Sequence, residues 1–176
     1  DHVASDQIQG VELVMQHLLA QGHRRIGHVT GVGGPARRRR EAYQAFMEAR
    51  GEPARCAGLD NPTNEEGGYL GTVELLRRHP GITAIFAAND TMALGARAAL
   101  REVGREVPRD AALVGYDNSQ LARSRFLDLT TVDNHGFDVG VAAGQALLQR
   151  MSAPDPPPQD ILIPSSLVVR SSSGPA

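Results

Sequence analysis

The chain has 176 residues, 41 % hydrophobic, 22 % charged and 4 % aromatic, which suits one domain able to bury about 70 % of its unfolded surface without staples. Its single cysteine, Cys56, excludes an intrachain disulfide framework and a cysteine-built zinc site, and no apolar run nears the ~20 residues of a membrane span. A net charge of −2 argues against a nucleic-acid surface in this segment, and the absence of lysine among its 18 basic residues excludes Schiff-base chemistry and a Walker-type phosphate lysine.

Asp6 predicts the cap of a helix reaching about Ala20, with Val11, Val14, Met15 and Leu18 as its apolar stripe. Gly22 suits the left-handed position beyond it. Residues 25–30 read as a strand and 31–35 as a loop. A second helix, about Ala36 to Arg50, carries Tyr43, Phe46 and Met47 inward and ends at Gly51. Residues 56–59 form a short strand and 61–64 a turn cluster. The third helix, about Glu65 to Arg78, has Tyr69, Val73 and Leu76 on one side, and Pro80-Gly81 breaks it. Residues 82–88 are nearly all apolar, as in a parallel strand covered on both faces. Asn89 caps a fourth helix, Asp90 to about Val103, and residues 111–116 form another buried strand. Residues 117–119 open a loop, 129–132 are extended, and a fifth helix spans about Phe137 to Met151. Prolines exclude helix from Ser152 to Pro158, and 161–163 and 167–169 read as closing strands. This alternation predicts an α/β fold with a mainly parallel sheet flanked by helices.

In such sheets ligands gather beyond the carboxyl ends of the strands. Three ends offer complementary chemistry: the loop after Thr30 leading to Arg37-Arg38-Arg39-Arg40, the Ala88-Asn89-Asp90 junction, and Tyr116-Asp117-Asn118. A guanidinium, an amide and a carboxylate suit a neutral polyhydroxylated or heterocyclic ligand, since each hydroxyl needs a donor and an acceptor. Blander roles compete. Neighbouring arginines on a helix point about 100° apart, so most of the run faces solvent. Asn89 is a natural helix cap, Asp117 suits an Asx-turn, and Asp6 reads as a cap rather than a ligand contact. His23, His28 and His135 lack metal-ligand spacing, no cofactor motif is present, and no nucleophile elbow, Gly-rich phosphate loop or zinc-hydrolase helix marks an enzyme.

Gly22-His23-Arg24-Arg25-Ile26, then Arg39 ahead of Ala42-Tyr43, resembles the LacI/GalR family of bacterial transcription regulators. The run from Thr83 through Ala88-Asn89-Asp90-Thr91-Met92-Ala93-Leu94-Gly95 carries the resemblance most specifically. Val107-Pro108, Leu113-Val114-Gly115-Tyr116-Asp117 and Leu129-Thr130-Thr131-Val132 continue it in order, and the likeness covers about Val3 to Val169. The resemblance implies a periplasmic-binding-protein-like type I sensor of two α/β subdomains hinged about an effector cleft. Residues 1–176 would be a partial effector-binding domain. Its C-terminal subdomain would hold about 3–132 and 160–170, and helix 137–151 would pack on an N-terminal subdomain outside this chain or on a neighbouring chain. The DNA-binding helix-turn-helix would also lie outside it.

Carried over, Arg39, Asn89 and Asp117 match effector-contacting positions. Asn134 aligns with a polar cleft position, Ser5 lies where the chain crosses between subdomains, and Thr63 stands where some sugar-responsive members have an aromatic ring. The resemblance places Met92, Leu94, Ala98, Arg123, Arg125 and Phe126 in a homodimer interface, although Met92, Leu94 and Ala98 suit a core equally. The implied function is a cytoplasmic regulator without catalytic activity, whose small polar effector, a sugar or related metabolite, shifts the operator affinity of the dimer through hinge motion. The alternative is an exported sugar-binding protein of an uptake system with the same fold.

Overall fold

In the computed structural model, which describes residues 1–152 and 157–174, the elements run β1 (His2–Ser5), α1 (Gln7–Ala20), β2 (Ile26–Val29), α2 (Gly34–Glu48), β3 (Cys56–Ala57), α3 (Glu65–Arg78), β4 (Ala84–Ala87), α4 (Asp90–Glu102), β5 (Ala112–Tyr116), β6 (Thr130–Asp133), α5 (Gly136–Ser152), β7 (Asp160–Ile163) and β8 (Ser166–Val168). The main sheet has the order β3-β2-β4-β5-β6-β8. Its first five strands are parallel, and β8 closes the edge antiparallel to β6. Alternation along the strands divides the core between the two faces. Ile26, Phe86, Val114 and Val132 meet Val11, Val14, Met15 and Leu18 of α1 and Tyr43, Phe46 and Met47 of α2. Val29, Ile85, Ala87 and Leu113 meet Leu75 of α3 and Met92, Ala93, Ala96 and Leu100 of α4.

The chain steps outward from β2 to β3 and then back past β2 to β4. With right-handed crossovers, that reversal puts α2 and α3 on opposite faces. It also opens a crevice at the carboxyl ends of β2 and β4.

Local signals explain the helix ends. Asp6 caps α1 by accepting from Gln9 N at 2.9 Å, and Asn64 caps α3 by accepting from Gly67 N at 2.9 Å. Gly22 and Gly51 follow α1 and α2 with φ of 95° and 67°. α2 begins two residues before the expected Ala36, because Pro35 suits a first helical turn that needs no N–H. α5 keeps Ser152, one residue into the stretch expected to be non-helical; residues 153–156 of that stretch lie outside the described residues.

α3 departs most from its pattern. The expected stripe of Tyr69, Val73 and Leu76 is not the buried face: Gly67, Gly68, Gly71, Thr72 and Leu75 are buried, and Val73 is exposed. Glycines bring α3 against α4. A Cβ on Gly68 would stand 2.6 Å from Met92 Cα, and one on Gly95 would stand 2.6 Å from the Tyr69 nitrogen.

β1 and β7 pair in parallel with each other, as a separate two-stranded sheet on which α5 packs. Residues 3–5 and 160–163, expected within the main unit, lie in this second sheet, because neither strand is hydrogen-bonded to the main one. Three segments join the two parts: residues 5–7, 134–136 and 163–166. α5 leaves Phe137, Leu147, Leu148 and Met151 exposed, and Ala146 is its buried residue. Among the described residues no helix is long and apolar enough to cross a membrane.

Candidate functional site

Arg39 faces inward from α2, 6 % exposed, while Arg37 and Arg38 face solvent. This is the separation that about 100° per residue imposes. Its Nε donates to Gln7 Oε1 at 2.7 Å, one terminal nitrogen donates to the Ala88 carbonyl, and the other reaches Asp117 Oδ1 at 3.2 Å. The guanidinium lies 3.6 Å over the centre of the Tyr116 ring, so its flat face is also used.

Asn89 follows β4. Its Oδ1 accepts from Met92 N at 2.7 Å, capping α4, while its Nδ2 donates to the Thr63 carbonyl at 3.1 Å. One side chain therefore joins the start of α4 to the turn before α3. Asp117 follows β5 with φ of 102°. Its Oδ1 accepts from Arg39 and from Asn134 Nδ2, the latter at 3.0 Å. Among the described residues Oδ2 takes no hydrogen bond, and the side chain is 38 % exposed. Ser5 enters through Gln7, whose Nε2 donates to Ser5 Oγ at 2.6 Å.

All six residues expected at an effector site, Ser5, Arg39, Thr63, Asn89, Asp117 and Asn134, line one cleft of about 550 Å³. Its charged lining residues are Arg38, Arg39 and Asp117, and no aromatic ring lines it among the described residues. A roomier groove of about 970 Å³ runs between α1 and α2, but it touches none of Arg39, Thr63, Asn89, Asp117 and Asn134. The cleft offers hydroxyl-matching chemistry: an open carboxylate oxygen, amide donors and a fixed guanidinium. Among the described residues no three His, Cys, Asp or Glu side chains are grouped to hold a metal ion.

Three residues of this neighbourhood have roles that the sequence did not assign, although Asp90 and Tyr116 stand within the strand-end motifs named from it. Gln7 holds Arg39 Nε, Tyr116 supports its face, and Asp90, 2 % exposed, binds Ser119 and Thr131 behind the cleft. Burial raises the Asp90 pKa, and the bonds from Thr131 and Ser119 oppose the rise. The available signal was position: each is next to, or two residues from, a residue that was picked.

The residues expected at a dimer interface separate. Met92 is a correction: it is fully buried, with its backbone against Gly68, and cannot reach a partner. Leu94, Ala98 and Phe126 line one surface groove with Arg97, whose guanidinium lies 5.0 Å from the Phe126 ring centre. Arg123 and Arg125 are exposed outside that groove.

The periplasmic binding protein-like domain family matches residues 15–173. The ribose operon repressor of Haemophilus influenzae is 31 % identical over 175 residues, and the HTH-type transcriptional repressor PurR of Actinobacillus pleuropneumoniae serotype 3 is 34 % identical over 178. Each alignment covers 98 % of this chain and 53 % of the relative, so the chain spans about half the length of these curated relatives. The crystal structure of a LacI-family transcriptional regulatory protein from Corynebacterium glutamicum superposes with a TM-score of 0.88 at 39 % identity, covering 99 % of this chain and 67 % of that one. By sequence and by three-dimensional structure, the chain belongs to the periplasmic binding protein-like domain family, in the form carried by LacI-family transcriptional regulators.

Proposed function

We propose that this chain is the effector-sensing part of a DNA-binding transcription regulator. It binds a small polar ligand, a sugar or related metabolite, in the cleft bounded by Arg39, Asn89 and Asp117. The observation that carries this reading is the convergence of all six polar residues on one cleft at the carboxyl ends of the strands. Ser5 and Asn134 lie on segments joining the two sheets, so a ligand that engages them acts on the relative placement of the two parts. It shifts that equilibrium only by its differential affinity for the two states. Operator DNA is contacted by a helix-turn-helix outside this chain. The face bearing Leu94, Ala98, Arg123, Arg125 and Phe126 meets a second copy, and the exposed side chains of α5 pack on the other half of the sensor. The regulator works in the cytoplasm and performs no catalysis.

The relatives are repressors, which favours this reading over an exported uptake protein. A thermal-shift screen of sugars, nucleobases and small acids on the full-length protein tests it. A hit that also changes operator affinity is the expected result. A hit that is turned over by the protein, or one that leaves operator binding untouched, contradicts it.

A further inference from the structure

The turn that presents Asp117 is held by a carboxylate that does not line the cleft. Asp117 and Asn118 both adopt left-handed backbone, with φ of 102° and 46°. Two such residues in succession persist only where their surroundings over-determine them. Here the surroundings are specific. Asp117 N donates to the Val132 carbonyl at 2.8 Å, and Asn118 N donates to Thr131 Oγ1 at 3.3 Å. Ser119 donates twice to Asp90 Oδ2, from its backbone N at 2.7 Å and from its hydroxyl at 2.8 Å. The other oxygen, Asp90 Oδ1, accepts from Thr131 Oγ1 at 2.6 Å.

Thr131 thus gives its proton to Asp90 and a lone pair to Asn118, so one hydroxyl ties the carboxylate to the turn. Space is made for Asp90 by Gly115, where a Cβ would stand 2.7 Å from Leu129 Cδ2 and 3.3 Å from Asp90 Cα. A carboxylate in the first turn of α4 also favours the helix dipole. That role needs neither 2 % exposure nor partners on β6 and the 117–119 turn.

We propose that Asp90 is a positioning residue for effector recognition: its buried carboxylate clamps Ser119 and Thr131 and thereby sets the left-handed turn that aims Asp117 into the cleft. The inference deepens the reading of that cleft as the effector site and rests on it. Asn89 and Asp90 divide two tasks between adjacent positions. The first caps α4 at the cleft, and the second fixes the neighbouring strand end from behind.

Nuclear magnetic resonance on the protein tests this, with amide exchange and HN–Hα couplings measured at residues 117–119 and D-ribose as the titrated probe. Asp90→Asn and Thr131→Val should raise exchange at the Ser119 amide about tenfold or more, as expected for a lost charge-assisted bond. They should also move the Asp117 coupling away from its left-handed value, while the Leu113 and Val114 amides of β5 keep their protection. Thr131→Ser, which keeps the hydroxyl, should restore both readouts. If the wild type binds D-ribose, the first two variants should weaken binding by about tenfold or more and Thr131→Ser should not. Unchanged exchange and coupling at the turn in Asp90→Asn and Thr131→Val overturns the proposal. So does unchanged affinity in a variant whose turn has moved. A wild type indifferent to D-ribose counts against that sugar alone, and the exchange and coupling measurements still confirm or overturn the positioning role.

Discussion

Arg39 spends its donors on Gln7, Ala88 and Asp117 and its flat face on Tyr116, so what it presents to a ligand is a fixed geometry more than a mobile charge. Arg39→Ala and Asp117→Ala should each weaken effector binding by about 1–3 kcal/mol, the scale of a charge-assisted hydrogen bond. Titration calorimetry on the full-length protein reads this directly, and unaltered affinity in both variants removes the site. Arg39→Lys should not rescue, because an ammonium cannot reproduce the planar fork. His28 is the residue to watch in pH work. It is fully buried between Tyr43 and Phe86, its Nδ1 meets the Phe86 carbonyl at 2.9 Å, and burial pushes its pKa down to about 3. The folded state therefore keeps it neutral while the unfolded chain takes up a proton below about pH 6.5. Stability from this group is intact above that pH and declines as pH falls toward 3, by about 2 kcal/mol at pH 5. Urea melts at pH 7 and pH 5 should show that loss shrinking in His28→Phe; an identical pH dependence in the variant contradicts it. Arg39, Asn89 and Asp117 could be read from sequence because each lies beyond a recognisable strand end, whereas Ser5, Thr63 and Asn134 came from the family resemblance alone. The roles of Gln7 and Asp90 could not be read, because their partners lie 32, 29 and 41 residues away and only the folded sheet brings them together.

Helices α3 and α4 pack through glycine, which explains why hydrophobic periodicity misassigned the inner face of α3. Periodicity finds large apolar side chains, but a close helix contact selects against them. Gly68→Ala should therefore destabilise the fold by about 1–3 kcal/mol or more, because the new methyl meets the backbone of Met92, which cannot rotate away. Gly140→Ala on α5, with nothing within 4 Å, should instead be neutral or stabilise by up to about 1 kcal/mol through helix propensity. Denaturant unfolding of both variants separates the cases, and equal effects would refute the close-contact account. α1 and α2 were legible because their buried stripes are built from large residues: Val11, Val14, Met15, Leu18, Tyr43, Phe46 and Met47. β7 was legible as a strand but β1 was not, and residues 2–5 and 160–163 carry no sequence mark that they pair with each other rather than with the main sheet.

At the scale of the molecule, two sheets are joined by three segments, and two of those segments contribute Ser5 and Asn134 to the cleft wall. The polar chain Ser5–Gln7–Arg39–Asp117–Asn134 runs from one joining segment to another across the site. Under the proposed regulator reading, a ligand that takes over any of these bonds shifts the relative placement of the two parts only by the difference in its affinity for the two placements. The crystal structure of the full-length protein with the ligand found by thermal shift is the decisive measurement. Ligand density within hydrogen-bonding distance of Arg39, Asn89 and Asp117 is the outcome required. Ligand seated in the groove between α1 and α2, with the cleft left unoccupied, would refute the assignment.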